Sequence, residues 1–370
     1  TASDMEYEEP KFFHVMGYVA EADRDVIDMV SGNPDWEPPQ ALRDGLAAYA
    51  EFDSDRFQYP PSDGTPELKA EIGERRGVDP DRIVVTNGTG EANYLGMGAA
   101  LERGAGDEVL LSDPVYPYYP GKAKMMGGDP TFVPANRDGS LDVDAYREAI
   151  SEETALVMLT TPNNPTGAVY DHDKVRAIIE LCEEYDALAV VDEVYDHFDL
   201  SGEFESALSI ESDHRIVTSG FSKSLAVTGF RVGYGIFPEQ FAQQAKARHM
   251  LVNVATTRPG QHAVLEGLRG ADAAYYEAAR DLIRDRVDTF TDALDTAGAE
   301  YSRPDGAFYV MAKFDDYPGT MANVERLIDE AGVAGMPGEG FGTAYDDWIR
   351  FALVTPRVDE AADRLAEFFA

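Results

Sequence analysis

The run Ser222-Lys223-Ser224-Leu225-Ala226-Val227-Thr228-Gly229-Phe230-Arg231-Val232-Gly233-Tyr234 sets a lysine among small polar residues, with an arginine eight positions on. This pattern suits a Schiff-base lysine beside a phosphate site. A crowded, partly desolvated pocket lets the amine react as a nucleophile, and the guanidinium offers a fork to a phosphate dianion. The chain has only eight lysines (positions 11, 69, 122, 124, 174, 223, 246 and 313), and Lys223 alone lies in such a setting. Ser222 adds a hydroxyl donor beside it.

Other segments carry groups with chemistry of their own. Thr86-Asn87-Gly88-Thr89-Gly90-Glu91-Ala92 ends a strand and opens a helix. Its glycines allow a tight turn, and the helix N-terminus offers free N–H groups and a positive dipole end to a phosphate. Asp113-Pro114-Val115-Tyr116-Pro117-Tyr118-Tyr119 sets aromatic rings at a strand's C-terminal edge, where they stack on a flat heterocycle or pack under a loop. In Thr161-Pro162-Asn163-Asn164-Pro165-Thr166-Gly167 two prolines stiffen a strand exit, and the Asn164 amide can donate to a phenolate oxygen. Val190-Val191-Asp192-Glu193-Val194-Tyr195 ends an apolar strand on a carboxylate, which is costly unless paired. Asp192 reads as the partner of a cation or as the cap of a following turn, and Glu193 as a cap. In Trp348-Ile349-Arg350-Phe351-Ala352 one arginine interrupts an apolar strand. It either reaches solvent at an edge or grips a carboxylate through two parallel hydrogen bonds.

In this order, from about Ser31 to the C-terminus, the segments resemble the class I/II aminotransferases, the fold-type I enzymes that use pyridoxal phosphate (PLP). The resemblance implies Lys223 as the PLP lysine and Arg231 as the phosphate fork. It places Gly88, Thr89 and Gly90 at the phosphate, Tyr116 over the pyridine ring, and Asn164 with Tyr195 at the ring's O3′ oxygen. Asp192 would pair with the pyridinium nitrogen. Arg350 would bind the substrate α-carboxylate, with Gly32 letting backbone approach it. Tyr59, in Phe57-Gln58-Tyr59-Pro60-Pro61, would reach the phosphate of a neighbouring subunit, which implies a homodimer with shared sites. Pro337-Gly338-Glu339-Gly340-Phe341-Gly342 would be a mobile specificity loop. One departure stands out. Gly220 lies three residues before the lysine, where relatives often carry a phosphate-binding serine, and Ser219 is the substitute to consider.

The implied reaction is transamination between an L-amino acid and a 2-oxo acid by a ping-pong cycle, with Lys223 moving the proton and Asp192 and Tyr195 acting through the ring. Because fold does not fix reaction, a carbon–sulfur β-lyase and a histidinol-phosphate-type aminotransferase remain alternatives. A PLP-binding regulator would carry a DNA-binding segment ahead of the fold, for which the acidic start Thr1 to Glu9 offers no room. The donor is not legible. Arg258 is one cation for a second carboxylate, and Phe12-Phe13-His14-Val15-Met16-Gly17-Tyr18 either lines an apolar pocket or packs the smaller domain.

At 370 residues and 44% hydrophobic, the chain can bury a large core in two domains. Net charge is −38, yet 11% aromatic content and recurrent apolar strands argue against disorder. Of 31 basic residues eight are lysines, leaving 23 arginines, an acidic and lysine-poor balance like that of proteins adapted to molar salt. There the Debye length shrinks to ~3 Å and self-repulsion is screened. A polyanion is a poor ligand for nucleic acid. The single cysteine, Cys182, excludes an intramolecular disulfide, fits a reducing cytoplasm and is expected to fill a helix face. No run approaches the ~18 apolar residues that span a membrane, the acidic start is unlike a signal peptide, and no metal is expected.

The elements that must position these groups alternate from about residue 40 to 240. Arg82–Thr86, Glu108–Leu111, Ala155–Leu159, Leu188–Val191 and Arg215–Thr218 read as continuous apolar strands of a mostly parallel sheet covered on both faces. Helices are expected over 91–102 and 173–185, with another starting at Pro66 under a Thr65 cap. After residue 240 come helices over 239–250 and 271–297, a strand over 307–312, a helix over 321–331, a strand over 348–354 and a helix over 358–369. The expected class is α/β, the PLP-dependent transferase fold type I. Residues 40–267 form its large PLP-binding domain, and 1–39 with 268–370 its smaller α+β domain. The resemblance adds a long helix linking the two.

Overall fold

The computed structural model describes residues 11–370; the acidic start, Thr1 to Glu9, lies outside them. Its centre is a seven-stranded sheet in the spatial order Ile83–Thr86, Gly233–Ile236, Arg215–Gly220, Leu188–Asp192, Thr154–Thr160, Glu108–Asp113, Asp129–Pro134. Gly233–Ile236 runs antiparallel to both neighbours, and every other pairing is parallel. Alternation along one strand explains the unbroken apolar runs. Val157 and Leu159 join the core under helix His172–Glu184, whereas Leu156 and Met158 join the core under helices Thr89–Leu101 and Glu239–Asn253. Both faces are buried, so both residue parities must be apolar. Cys182 is fully buried in the first of these cores, filling a helix face as expected.

Two strands escape the pattern. Asp129–Pro134 is an edge strand with a proline at either end, and Gly233–Ile236 alternates glycine with larger residues. Helix Arg258–Gly270 was also not anticipated; it packs on helix Gln40–Tyr49 through Leu42, Ala263, Val264 and Leu268. Thr65 does precede helix Pro66–Arg76, but its side chain makes no capping hydrogen bond. Its N–H instead donates to Gln261 Oε1 at 2.8 Å.

The remaining strands form smaller sheets. Met336–Pro337, Ile349–Ala352, Tyr309–Lys313 and Glu300–Tyr301 pair antiparallel in that order, and Ile27–Asp28 pairs parallel with Val333–Ala334. The N-terminal segment therefore packs with the C-terminal third. Helix Lys11–Glu21 lies there too, with Phe12, Met16 and Tyr18 against the same core. Packing, rather than lining a pocket, accounts for that apolar stretch. Helix Ala273–Thr296 spans two cores, placing Tyr276 in the core that holds Val232 and Leu268 and its later turns, from Ala279 to Leu294, in the core of the antiparallel sheet. Among the described residues no helix is long and apolar enough to cross a membrane.

Candidate active site

Five like-directed strands of the central sheet present their carboxyl ends along one edge, the place where open α/β sheets bind ligands. They carry Gly88 after Ile83–Thr86, Tyr116 after Glu108–Asp113, Asn164 after Thr154–Thr160, Asp192 at the end of its strand, and Lys223 after Arg215–Gly220. Strand order thus gathers residues far apart in sequence.

Lys223 Nζ donates to the Gly32 carbonyl at 2.6 Å and lies 5.9 Å from the ring centroids of Tyr195 and Phe308. Burial, then the charges of Arg350 and Arg231, hold its ammonium down to about 8, while Asp192 pulls the other way. Such an amine is available as base and nucleophile near neutral pH. Gly32 is required where it stands, because a Cβ there would collide with the Tyr309 hydroxyl.

Asp192 is buried, and burial raises its carboxyl above the ordinary value. Oδ2 accepts from Asn93 Nδ2 at 2.7 Å and from Tyr119 OH at 2.6 Å, while Oδ1 accepts from the Val194 N–H at 3.0 Å. Asp192 therefore holds the following turn, as the cap reading expects, and its other oxygen is held by Asn93 and Tyr119. Among the described residues it forms no ion pair. Glu193 points elsewhere, into an ion pair with Arg76 and bonds to Ser206 and the Ala207 N–H. Asn93 is itself fixed by Thr218 Oγ1 at 2.5 Å.

Asn164 Nδ2 approaches the Tyr195 hydroxyl at 3.5 Å, and that hydroxyl lies 3.0 Å from Tyr309 OH. Arg350 is buried, not at a solvent edge. Nη1 donates to Asn164 Oδ1 at 3.0 Å and Nη2 to the Val30 carbonyl at 2.6 Å, while Nε has no partner. Its guanidinium lies over the rings of Tyr309 and Phe341, 4.5 and 5.0 Å from their centroids. Phe341, from the loop after Pro337, is thus drawn onto the arginine, and its carbonyl accepts from the Val115 N–H at 2.7 Å.

At the other end, Arg231 adopts a left-handed backbone (φ 55°), which a non-glycine residue holds only under constraint. Nη1 donates to the Thr228 carbonyl at 2.7 Å and to Ser222 Oγ at 3.4 Å. Gly88 (φ 77°) needs glycine twice over, since a Cβ would also run into the Arg231 guanidinium. Thr89 and Gly90 open the first turn of helix Thr89–Leu101, and the Gly90 carbonyl accepts from Lys122 Nζ at 2.6 Å. Burial lowers Lys122 to about 8.

Tyr116 stands edge-on to Tyr118 and Tyr119, with centroids 5.2 and 5.3 Å away, and within electrostatic reach of Asp192 and Arg350. Tyr118 is exposed, and Tyr119 is the buried one. Tyr59 is not brought to this cluster: it is 82% exposed, on the loop that Arg258 braces through the Asp55 and Gln58 carbonyls at 2.8 and 3.1 Å. Sequence reasoning missed Asn93, Tyr309 and Lys122 and left Tyr119 undecided. An asparagine in an otherwise apolar helix was a usable signal for Asn93. Tyr309 had none, since tyrosine is ordinary in a strand.

The residues present fit pyridoxal phosphate. A cradle at Gly88 that a side chain would fill, an unpartnered buried hydroxyl on Thr89 beside it, a buried carboxylate and a depressed lysine match its phosphate, ring nitrogen and carbonyl carbon.

Comparison with known proteins agrees with the geometry. Residues 24–367 match the family described as aminotransferase class I and II. The aspartate/prephenate aminotransferase of Thermus thermophilus is 31% identical over 92% of this chain and 90% of its own length. The aspartate aminotransferase of Bacillus subtilis is 30% identical over 94% and 92%. Among solved structures, a Thermus thermophilus aspartate aminotransferase with maleate superposes with a TM-score of 0.90 at 29% identity, covering 97% of each chain. An alanine aminotransferase from Pyrococcus furiosus gives 0.90 at 30%, covering 98% and 97%.

Proposed function

The chain belongs to the class I and II aminotransferases, an amino-group-transferring enzyme, and on that premise we propose that it works with pyridoxal phosphate held by Lys223 and takes an acidic amino acid as donor. The observation that carries the cofactor reading is that Lys223 lies within electrostatic reach of Arg231, Asp192 and Arg350, with Gly88 against the Arg231 guanidinium.

When bound, pyridoxal phosphate supplies an electron sink for the pair released at the substrate's α-carbon. The helix N-terminus at Gly88 to Gly90, Ser222 and Arg231 would hold its phosphate, Asp192 its ring nitrogen, Asn164 and Tyr195 its phenolic oxygen, and Tyr116 its ring face. Asn93 and Tyr119 orient Asp192 by occupying one of its oxygens. Arg350 grips the α-carboxylate and fixes the direction of the Cα–H bond, which selects deprotonation over decarboxylation. Stacking between Tyr309 and Phe341 keeps water from that guanidinium. Lys223, once displaced by the substrate amine, would take the α-proton as a neutral amine and serve as the general acid that gives it up again.

An acidic donor is supported by the aspartate named for several relatives. Arg258 is committed to the Asp55 and Gln58 carbonyls and Lys122 to the Gly90 carbonyl, so neither is assigned to a second carboxylate. The alanine aminotransferase of equal similarity makes a small donor the second reading. We further read residues 40–267 as the cofactor domain and the rest as the smaller one, and the enzyme as a cytoplasmic, salt-adapted homodimer in which Tyr59 serves the neighbouring site. Its exposure supports that role.

Borohydride reduction followed by peptide mass spectrometry tests the cofactor reading, and the expected label is on Lys223. A label on another lysine overturns it. A panel of amino acids, followed by cofactor absorbance, identifies the donor.

A further inference from the structure

The loop between strands Met336–Pro337 and Ile349–Ala352 carries Phe341 onto the Arg350 guanidinium, and one residue of the central sheet grips that loop. Asp113 ends strand Glu108–Asp113 and is 2% exposed. Its Oδ2 accepts from the Thr343 N–H at 3.1 Å, from Thr343 Oγ1 at 2.9 Å and from the Ala344 N–H at 3.0 Å, while Oδ1 shares the Thr343 N–H at 3.1 Å. All of its side-chain hydrogen bonds go to this loop, and among the described residues it forms no ion pair. A buried carboxylate is costly unless bonded, and the bonds it accepts are stronger than those to a neutral oxygen. Gly342 lets the loop come this close, since its φ is 127° and a Cβ there would collide with Asp113 Oδ1. On one side of this contact Phe341 is fully buried, and its carbonyl accepts from the Val115 N–H at 2.7 Å. On the other, Tyr345 OH donates to the Asn136 carbonyl.

We propose that Asp113 is a positioning residue for substrate recognition: its carboxylate clasps the Thr343–Ala344 backbone, keeps Phe341 stacked on Arg350, and so holds that guanidinium dry and fixed in direction. It acts through the loop rather than on the substrate itself. The inference rests on the reading of Arg350 as the partner of the α-carboxylate. It reaches beyond that reading by naming the group, on a different sheet, that keeps the arginine's aromatic cover in place. Substrate recognition then depends on how firmly the antiparallel sheet's loop is held to the central sheet, and the carboxylate of Asp113 sets that hold.

The test compares two probes that react at the same carbonyl carbon of the cofactor in holoenzyme: aminooxyacetate, which carries a carboxylate, and methoxyamine, which does not. Rate constants are read from cofactor absorbance, and their ratio reports the carboxylate pocket alone. Asp113→Ala leaves buried loop donors without an acceptor and should lower the ratio by roughly tenfold, with methoxyamine unaffected. Asp113→Asn can turn its amide oxygen to the place of Oδ2 and should stay within about twofold of wild type. Thr343→Val removes a single bond and should lower the ratio by about threefold, a milder variant should Asp113→Ala not fold. In an Arg350→Ala background, Asp113→Ala should change the ratio no further, because the group it positions is gone. An Asp113→Ala ratio equal to wild type, an equal loss on both probes, or an undiminished effect without Arg350 would overturn the assignment. A ratio that Arg350→Ala alone leaves unchanged would instead overturn the reading of Arg350, and this inference with it.

Discussion

Arg350 Nη1 donates to Asn164 Oδ1 at 3.0 Å, tying the C-terminal antiparallel sheet to the loop that leaves the central one. The bond fixes both partners. With Oδ1 taken, the Asn164 amide nitrogen is turned toward Tyr195, and Arg350 keeps its unpartnered Nε for another acceptor. On the proposed assignment, that bond links substrate recognition to cofactor orientation.

Arg350→Ala should therefore lower kcat/KM for amino acids by roughly 100-fold, about 2.7 kcal/mol of lost transition-state binding. The loss should fall mostly on KM, and a carboxylate-free amine should be affected little. Steady-state kinetics on such a pair of substrates checks this, and an equal loss on both would remove Arg350 from carboxylate recognition.

The Lys223 amine offers a pH test on apoprotein. Its folded value of about 8 lies below the ordinary 10.5, through burial first and the Arg350 and Arg231 charges next. Between those two values the unfolded chain binds a proton that the native chain does not. This group's contribution to stability is therefore least below about 8 and grows as pH rises through that window. Reductive methylation of Lys223, followed by mass spectrometry, should show a midpoint near 8. Arg350→Met should move the midpoint upward, since it removes a charge that opposes protonation. A midpoint that matches the surface lysines would contradict the buried setting.

Asp192→Asn removes the anion while Asn93 and Tyr119 stay in place. Bound cofactor should be retained, and kcat should fall by ~1,000-fold or more, about 4 kcal/mol. Absorbance titration alongside single-turnover rates separates the two. A loss under ~10-fold would mean that Asp192 does not face the ring nitrogen.

Salt should govern assembly. With net charge −38, carboxylates repel across a Debye length that reaches ~30 Å at 0.01 M salt. Low salt is expected to cause dissociation, cofactor release and inactivation together, with molar KCl preventing all three. Sedimentation and cofactor absorbance across a KCl series measure this, and a loaded dimer in 10 mM salt would end the salt-adapted reading.

The chain's sequence by itself determined the groups that lie within single segments. Lys223 with Arg231, the Asn164 turn, the Asp192 strand end and the Arg350 strand are each written within a dozen residues, because local geometry dictates them. The central strands were legible for a related reason: burial on both faces demands apolar residues at every position. Tertiary structure alone decided which distant groups meet. Asn93 and Tyr119 reach Asp192 because of strand order, not spacing. Tyr309 meets Arg350 because their strands pair within the antiparallel sheet, and it meets Tyr195 only when that sheet docks on the central one. Thr89 comes against Gly220 through the order of the central strands. Contacts between separate elements depend on how those elements are stacked, and a linear pattern of residue types carries no term for that.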